Sequence, residues 1–272
     1  MLIWIVFVLA LLQGILEWLP VSSQGQTVTF LTGLIGLTPD QALDIALWLH
    51  LGTSLAVIIK YRREIYQYLN PKIKEEDVIQ WRWFILLSTV GTIITGIPCF
   101  LLVYRLGEDP SIGEYFMLII GVALLVTAAL LFYARKQDRS GLEIKEISKR
   151  KMTMSGLLQG FSIIPGISRS GITMSGLLFM SVTKEDSMKG SFIMSVPAVI
   201  GGFVLDIILI LARGGNIFPI LWWQLLLAVL VTAVIGYFAM ELFILVAKRY
   251  NFALVCLILG ILTIILFALK WL

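Results

Sequence analysis

Two apolar stretches that break in the middle, set among six that do not, constrain this chain more than any other feature. The six unbroken runs fall near 42–60, 83–104, 115–134, 190–212, 221–246 and 252–271. Each comes close to the ~20 helical residues that cross a hydrocarbon core of roughly 30 Å. The broken stretches, 1–35 and 152–180, carry Pro, Gly and Ser near their middles, leaving halves too short to span alone. Irregular backbone is tolerated at membrane depth only where protein or a cavity covers it, so each broken stretch predicts a re-entrant hairpin. Composition agrees, since 59% hydrophobic against 14% charged residues is more apolar surface than one water-soluble core buries. The expected fold is an all-α integral membrane protein of six transmembrane helices plus two re-entrant helical hairpins.

Basic residues set the orientation. Segments 60–82 and 135–151, with Lys184, Lys189, Lys248 and Arg249, hold 17 of the 21 Lys and Arg residues on one side, which is read as the cytoplasm. Asp40, Asp44, Glu108, Asp109 and Glu114 fall opposite. Six crossings then leave both termini outside the cell membrane, with the first hairpin entering from outside and the second from inside. The formal charge of +4 belongs to loops and marks no nucleic-acid surface. Cys99 and Cys256 lie far apart in apolar runs and read as small core residues, and a single histidine excludes a multi-histidine metal site. Residues 1–12 lack a basic leading region and a small-residue cleavage site, so they are expected to belong to the mature fold.

An internal repeat orders these elements. Leu11-Leu12-Gln13-Gly14 recurs 146 residues later as Leu157-Leu158-Gln159-Gly160, and Gly25 and Gly171 keep the same offset. Three crossings separate the copies, so they point oppositely, as an inverted-topology repeat whose hairpins meet near the midplane. The single polytopic domain, 1–272, divides into repeat 1 at about 1–134, a cytoplasmic linker at about 135–151 and repeat 2 at about 152–272.

The chemistry concentrates in the two breaks. The first reads Gln13-Gly-Ile-Leu-Glu17-Trp-Leu-Pro20-Val-Ser22-Ser23-Gln24-Gly25-Gln26. A carboxylate this deep in an apolar stretch costs at least ~2.5 kcal/mol, which marks Glu17 as functional. Gln13, four residues earlier, shares its helix face. The second break, Pro165-Gly166-Ile167-Ser168-Arg169-Ser170-Gly171-Ile172-Thr173, places Arg169 inside a hairpin, and its planar fork suits phosphate oxygens. Ser22 and Ser23 in one repeat, and Ser168 and Ser170 in the other, stand where a returning half-helix begins. Such a start exposes N–H groups and a positive dipole end to an anion. One carboxylate, one arginine, several hydroxyls and two helix starts make a site for an anion at membrane depth, and a lipid-linked phosphate fits. Glu17 is open to two roles: general base toward Ser23 or water, or ligand of a divalent cation.

At these residues the chain resembles the undecaprenyl-diphosphatase family, also called the bacitracin-resistance phosphatases. Gln13 and Glu17 match its acidic motif, and Pro165 to Thr173 match its Pro-Gly-x-Ser-Arg-Ser-x-x-Thr motif. The resemblance implies inverted repeats with two re-entrant hairpins. It also implies release of phosphate from undecaprenyl diphosphate or a similar polyprenyl diphosphate at the outer face, with a divalent cation, Mg or Ca. Carried onto this sequence, Glu17, Ser23 and Arg169 are the catalytic candidates, with Glu17 also the metal candidate. Gln13, Ser22, Gln26, Ser168, Ser170 and Thr173 are the phosphate-binding candidates. Bacterial members usually have His directly after Ser-Ser-x-Gly, where this chain has Gln26, so no histidine acts from that position.

The remaining embedded polar residues read as structural. His50 is expected to pack between helices, the less favoured alternative being that it compensates for Gln26, and Asp206 and Glu241 to snorkel or pair near span ends. Trp81, Trp83, Trp222, Trp223 and Trp271 read as interfacial anchors. Thr53, Ser54 and Ser195 to Ala198 suit close helix contacts within or between chains, which leaves a homodimer open. The rival function is a transporter or flippase for a phosphorylated polyprenyl lipid, because broken helices in inverted repeats also build transporters. A scaffold with Glu17 and Arg169 as helix glue is the third reading.

Overall fold

The computed structural model describes residues 3–19, 22–107, 115–135, 141–164, 166–212, 214, 220–246 and 252–269. These form helices α1 (Ile3–Leu16), α2 (Ser23–Phe30), α3 (Pro39–Lys60), α4 (Arg62–Leu69), α5 (Glu76–Gly107), α6 (Phe116–Arg135), α7 (Lys149–Gly160), α8 (Arg169–Phe179), α9 (Lys184–Ala212), α10 (Trp222–Val246) and α11 (Phe252–Leu269). The described residues are all-helical apart from one isolated bridge between Leu142 and Val182. A helix stands at each of the six unbroken runs. Four are long and apolar enough to cross a membrane over Gln41–Lys60, Glu76–Val103, Lys184–Ala212 and Trp222–Leu245, and Ile3–Leu16 and Leu118–Leu130 are shorter apolar helices. Both broken stretches fold as helix, break, helix: α1 and α2 about Glu17–Leu19, and α7 and α8 about a 3-10 turn, Phe161–Ile163. Pro20, Val21 and Pro165 lie outside the described residues, as do 108–114, Lys248, Arg249 and Trp271.

The two halves interlock through close backbone contact. α1 packs on α10, while α7 packs on α5, so each hairpin's first helix lies along a long helix of the other half. α3 bridges to α9 and α10, and α6 pairs with α11. Small residues permit the approach. A Cβ on Gly156 would overlap the Ser88 backbone, one on Gly91 the Thr153 carbonyl, and one on Gly14 the Ile235 side chain. Lipid leaves no hydrophobic drive between helices, so polar contacts add cohesion: Thr92 Oγ1 donates to Gly156 O at 3.2 Å and Thr95 Oγ1 to Leu157 O at 2.8 Å.

One core cluster gathers Trp18, Tyr61, Tyr68, Trp81, Phe84, Phe192 and Phe243 with aliphatic neighbours; a second holds Leu9, Leu31, Ile45, Leu49, Ile120 and Leu124. Trp81, expected as an interfacial anchor, is 7% exposed, stacked on Tyr68 with ring centroids 5.5 Å apart. The α4 end folds back over it, held by Arg82 Nε donating to Tyr68 O at 2.8 Å. Trp83, Trp222 and Trp223 are exposed, as interfacial residues are. Glu241 pairs with Lys60 as its place near a span end suggested, and Cys99 is a free, half-buried thiol. Thr53 and Ser54 are buried in helix contacts.

The α5–α7 contact yields a direct test. Gly156→Val drives a branched side chain into the Ser88 backbone and should cost about 2 kcal/mol or more. Thermal unfolding of purified protein in detergent is expected to show a lowered midpoint for this variant, and an unchanged one for a Val at Gly201, which faces open space.

Candidate active site at the paired helix breaks

Glu17 stands one residue past the last turn of α1, its N–H bonded to Gln13 O at 3.1 Å. Its side chain is 3% exposed. Gln13, fully buried, donates from Nε2 to Glu17 Oε2 at 2.7 Å, the i to i+4 approach of one helix face. Ser23, the first residue of α2, donates from Oγ to the same oxygen at 2.6 Å. Arg169, the first residue of α8, donates from Nη2 to Glu17 Oε1 in a salt bridge between the two halves of the chain. A buried carboxylate is sustainable only with such paired, hydrogen-bonded partners.

Two caps lock the breaks to each other. Ser22 and Ser168 occupy equivalent places in the repeat and act alike: Ser22 Oγ accepts from Gly25 N at 3.4 Å, and Ser168 Oγ from Gly171 N at 3.2 Å. Ser22 Oγ also accepts from Gly166 N in the opposite break at 3.0 Å. That double duty holds Ser22 at φ 56, in the left-handed region. Ser170 Oγ answers by donating to Leu19 O at 3.2 Å. Behind Arg169, Thr173 Oγ1 donates to its carbonyl at 2.7 Å and lies 2.6 Å from Ser191 Oγ of α9.

Two cavities flank the pair. A small one of about 30 Å³ is walled by Glu17, Ser22, Ser23, His50, Ser168 and Arg169 among others. A larger one of about 160 Å³ shares Gln24, His50, Ser162 and Arg169 with it, then runs between α3, α5 and α9 past apolar residues such as Leu47, Phe100 and Val199. Of the residues expected in the site, Glu17, Ser22, Ser23, Ser168 and Arg169 face the small cavity. Gln13, Ser170 and Thr173 line neither cavity and instead hold Glu17, the α1 end and Arg169 from behind. Gln26 is half-buried and also lines neither.

His50 corrects the sequence reading. It does not simply pack between helices: its Nε2 stands 3.3 Å from Glu17 Oε2, while Nδ1 lies 2.6 Å from Ala46 O. Nothing in the sequence ties residue 50 to residue 17, since they meet only because α3 packs beside the break. Asp206 is a second correction, 3% exposed on the wall of the larger cavity and not at the surface. Gln24, on both cavities, was flagged by nothing but its place between Ser23 and Gly25.

For the divalent cation expected on Glu17, the donors are already taken. Oε1 is held by Arg169, and Oε2 faces Gln13, Ser23 and His50. The described residues contain no group of three or more His, Cys, Asp or Glu able to hold a metal ion.

Comparison with known proteins matches this arrangement to a family. The model of the bacitracin resistance protein BacA covers residues 6–262. The chain belongs to the BacA family. Among its relatives, the undecaprenyl-diphosphatase of Methanothrix thermoacetophila is 37% identical over 264 residues, 96% of each chain. That of Methanopyrus kandleri is 32% identical over 258 residues, 95% of this chain and 93% of the relative. That of Haloarcula marismortui is 31% identical over 266 residues, covering 95% and 94%. This BacA-family chain thus joins its two motifs at one carboxylate–arginine pair, and the relatives named here carry a phosphatase name and not a transporter's.

Ser22 isolates the link between the breaks. Ala removes the acceptor that Gly25 N and Gly166 N share and leaves a Cβ at positive φ; Gly removes only the acceptor; Asn keeps an acceptor and tolerates that region. Thermal midpoints are expected to fall in the order Ser, Asn, Gly, Ala, with Ala lower by about 1–2 kcal/mol of stability.

Proposed function

We propose that the chain is a phosphatase that hydrolyses a long-chain polyprenyl diphosphate, undecaprenyl diphosphate or a similar lipid, to the monophosphate and inorganic phosphate. The product is a recycled lipid carrier for cell-envelope synthesis. The observation that carries this reading is the buried Glu17–Arg169 pair, with Ser23 on the carboxylate, at the meeting point of two helix breaks. A terminal phosphate in the small cavity meets Arg169 and the N-termini of α2 and α8, where N–H groups and the dipole favour an anion.

The proposed step is attack on the terminal phosphorus. Ser23 Oγ gives its proton to Glu17 Oε2 and forms the new P–O bond; the bond from that phosphorus to the bridging oxygen breaks, and the lipid monophosphate leaves with its electron pair and with the proton from Glu17. Water, deprotonated by the restored carboxylate, then attacks the same phosphorus; its bond to Ser23 Oγ breaks, phosphate departs, and Glu17 returns the proton to Oγ. The 2.6 Å contact between Ser23 and Glu17 favours serine over water as the first nucleophile. Arg169 gives up part of its bond to Glu17 as negative charge grows on the phosphoryl oxygens, and stabilises that charge.

The membrane arrangement belongs to the same proposal: six spans and two re-entrant hairpins in an inverted repeat, residues 1–134 and 152–272 about a cytoplasmic linker. The exchanged packing of α1 on α10 and α7 on α5, and the equivalent caps Ser22 and Ser168, support it. The basic residues of 60–82 and 135–151 support a cytoplasmic side there. The larger cavity runs away from that side, toward the start of α3 and the end of α9, which supports termini outside and a site open to the outer face.

Purified protein given a long-chain prenyl diphosphate is expected to release inorganic phosphate, and to release none from the corresponding monophosphate. Glu17→Gln and Ser23→Ala should each lower kcat by about 10²–10⁴-fold, and Arg169→Ala by about 10²–10³-fold with a raised KM. Phosphate release by Glu17→Gln at the wild-type rate would end the hydrolytic reading.

A further inference from the structure

Four side chains line both cavities at once: Gln24 of α2, His50 of α3, Ser162 of the 3-10 turn and Arg169 of α8. They therefore stand at the boundary between the small cavity and the larger one. Three of them are committed within the protein. Arg169 donates from Nη2 to Glu17 and from Nη1 to Ser191 O at 3.5 Å. His50 sets Nδ1 against Ala46 O at 2.6 Å and Nε2 3.3 Å from Glu17 Oε2. Ser162 Oγ donates to Gln159 O at 2.7 Å. Gln24 differs: half-buried, its amide has no hydrogen-bond partner among the described residues.

The role of this free amide rests on the hydrolytic reading. With its terminal phosphorus beside Ser23 in the small cavity and its apolar chain in the larger, a prenyl diphosphate puts its inner phosphate across the boundary. In-line displacement asks the same, since the bridging oxygen leaves from the side opposite Ser23 Oγ. The non-bridging oxygens of an ionised inner phosphate accept hydrogen bonds, and Gln24 Nε2 carries two N–H groups to meet them. A neutral donor also suits a leaving group. It holds the inner phosphate by hydrogen bonds, without the full counter-charge that would retain the monophosphate product.

We propose that Gln24 binds the inner phosphate of the substrate and so selects a diphosphate over a monophosphate. Ser23 acts on the terminal phosphorus, and its neighbour in α2 holds the next. A prenyl monophosphate seated in the small cavity leaves the Gln24 amide unmet and lays the first methylenes of its chain against it, and a site built to hydrogen-bond its ligand disfavours an analogue that lacks the partner.

The test is equilibrium binding to the purified full chain by titration calorimetry, with two probes: farnesyl methylenediphosphonate, whose P–C–P link cannot be hydrolysed, and farnesyl monophosphate. Wild type is expected to bind the diphosphonate more tightly. Gln24→Leu should weaken the diphosphonate by about 10–100-fold, the worth of hydrogen bonds to an anion, and leave the monophosphate little changed. Gln24→Glu, of the same shape but with acceptors in place of the donors, should weaken the diphosphonate further, and it carries the comparison if Gln24→Leu does not fold. A wild type without preference for the diphosphonate, diphosphonate binding at wild-type strength in either variant, or equal loss of both probes would overturn the proposal. Phosphate release from a prenyl diphosphate is measured in parallel. A chain that discriminates through Gln24 yet releases no phosphate refutes the hydrolytic reading alone, whereas hydrolysis by wild type with no effect of Gln24→Leu on binding refutes the role of Gln24 alone.

Discussion

A carboxylate placed deep in an apolar chain must be paired, and Glu17 is paired with a residue 152 positions away. That requirement organises the molecule. Arg169 reaches Glu17 only if two helix breaks, each unable to satisfy its own backbone, are brought tip to tip. Ser22 and Ser170 then repair the breaks reciprocally, one accepting from Gly166 N and the other donating to Leu19 O. The irregular backbone at each break persists because the opposite break supplies partners for it.

The long helices serve this junction by letting their neighbours come close. Glycines on α1, α5 and α7 bring each hairpin against a helix of the other half, so that neither hairpin is placed without its counterpart. Gln159, the repeat's counterpart of Gln13, has no carboxylate four residues on and donates instead to Thr92 Oγ1 at 3.0 Å and Met194 O at 3.1 Å. The two breaks thus contribute differently: the first carries the acid and Ser23, the second the arginine, and Gln159 serves as a structural tie.

Much of this was legible in the sequence, because membrane depth makes polar residues conspicuous. Glu17, Arg169 and the capping serines stand out against apolar neighbours, and the six runs and two breaks follow from length and Pro, Gly and Ser placement. What escaped were contacts that depend on which helices become neighbours. His50 reaches Glu17 through the docking of α3, and Asp206 lies inside a cavity formed by three helices. Trp81 is covered by a return of α4 that no periodicity announces. Gln26 was assigned by motif position, but lies on neither cavity wall.

The central claim is that Glu17 and Arg169 act as one unit across the junction, and a double-mutant cycle on phosphate release measures it. With kcat/KM for Glu17→Gln, Arg169→Ala and the double variant, the expected result is strong non-additivity: the double variant loses little more than the worse single one. Losses that simply add would contradict the account, since they would mean that the two residues work independently and that the meeting of the breaks is not the site.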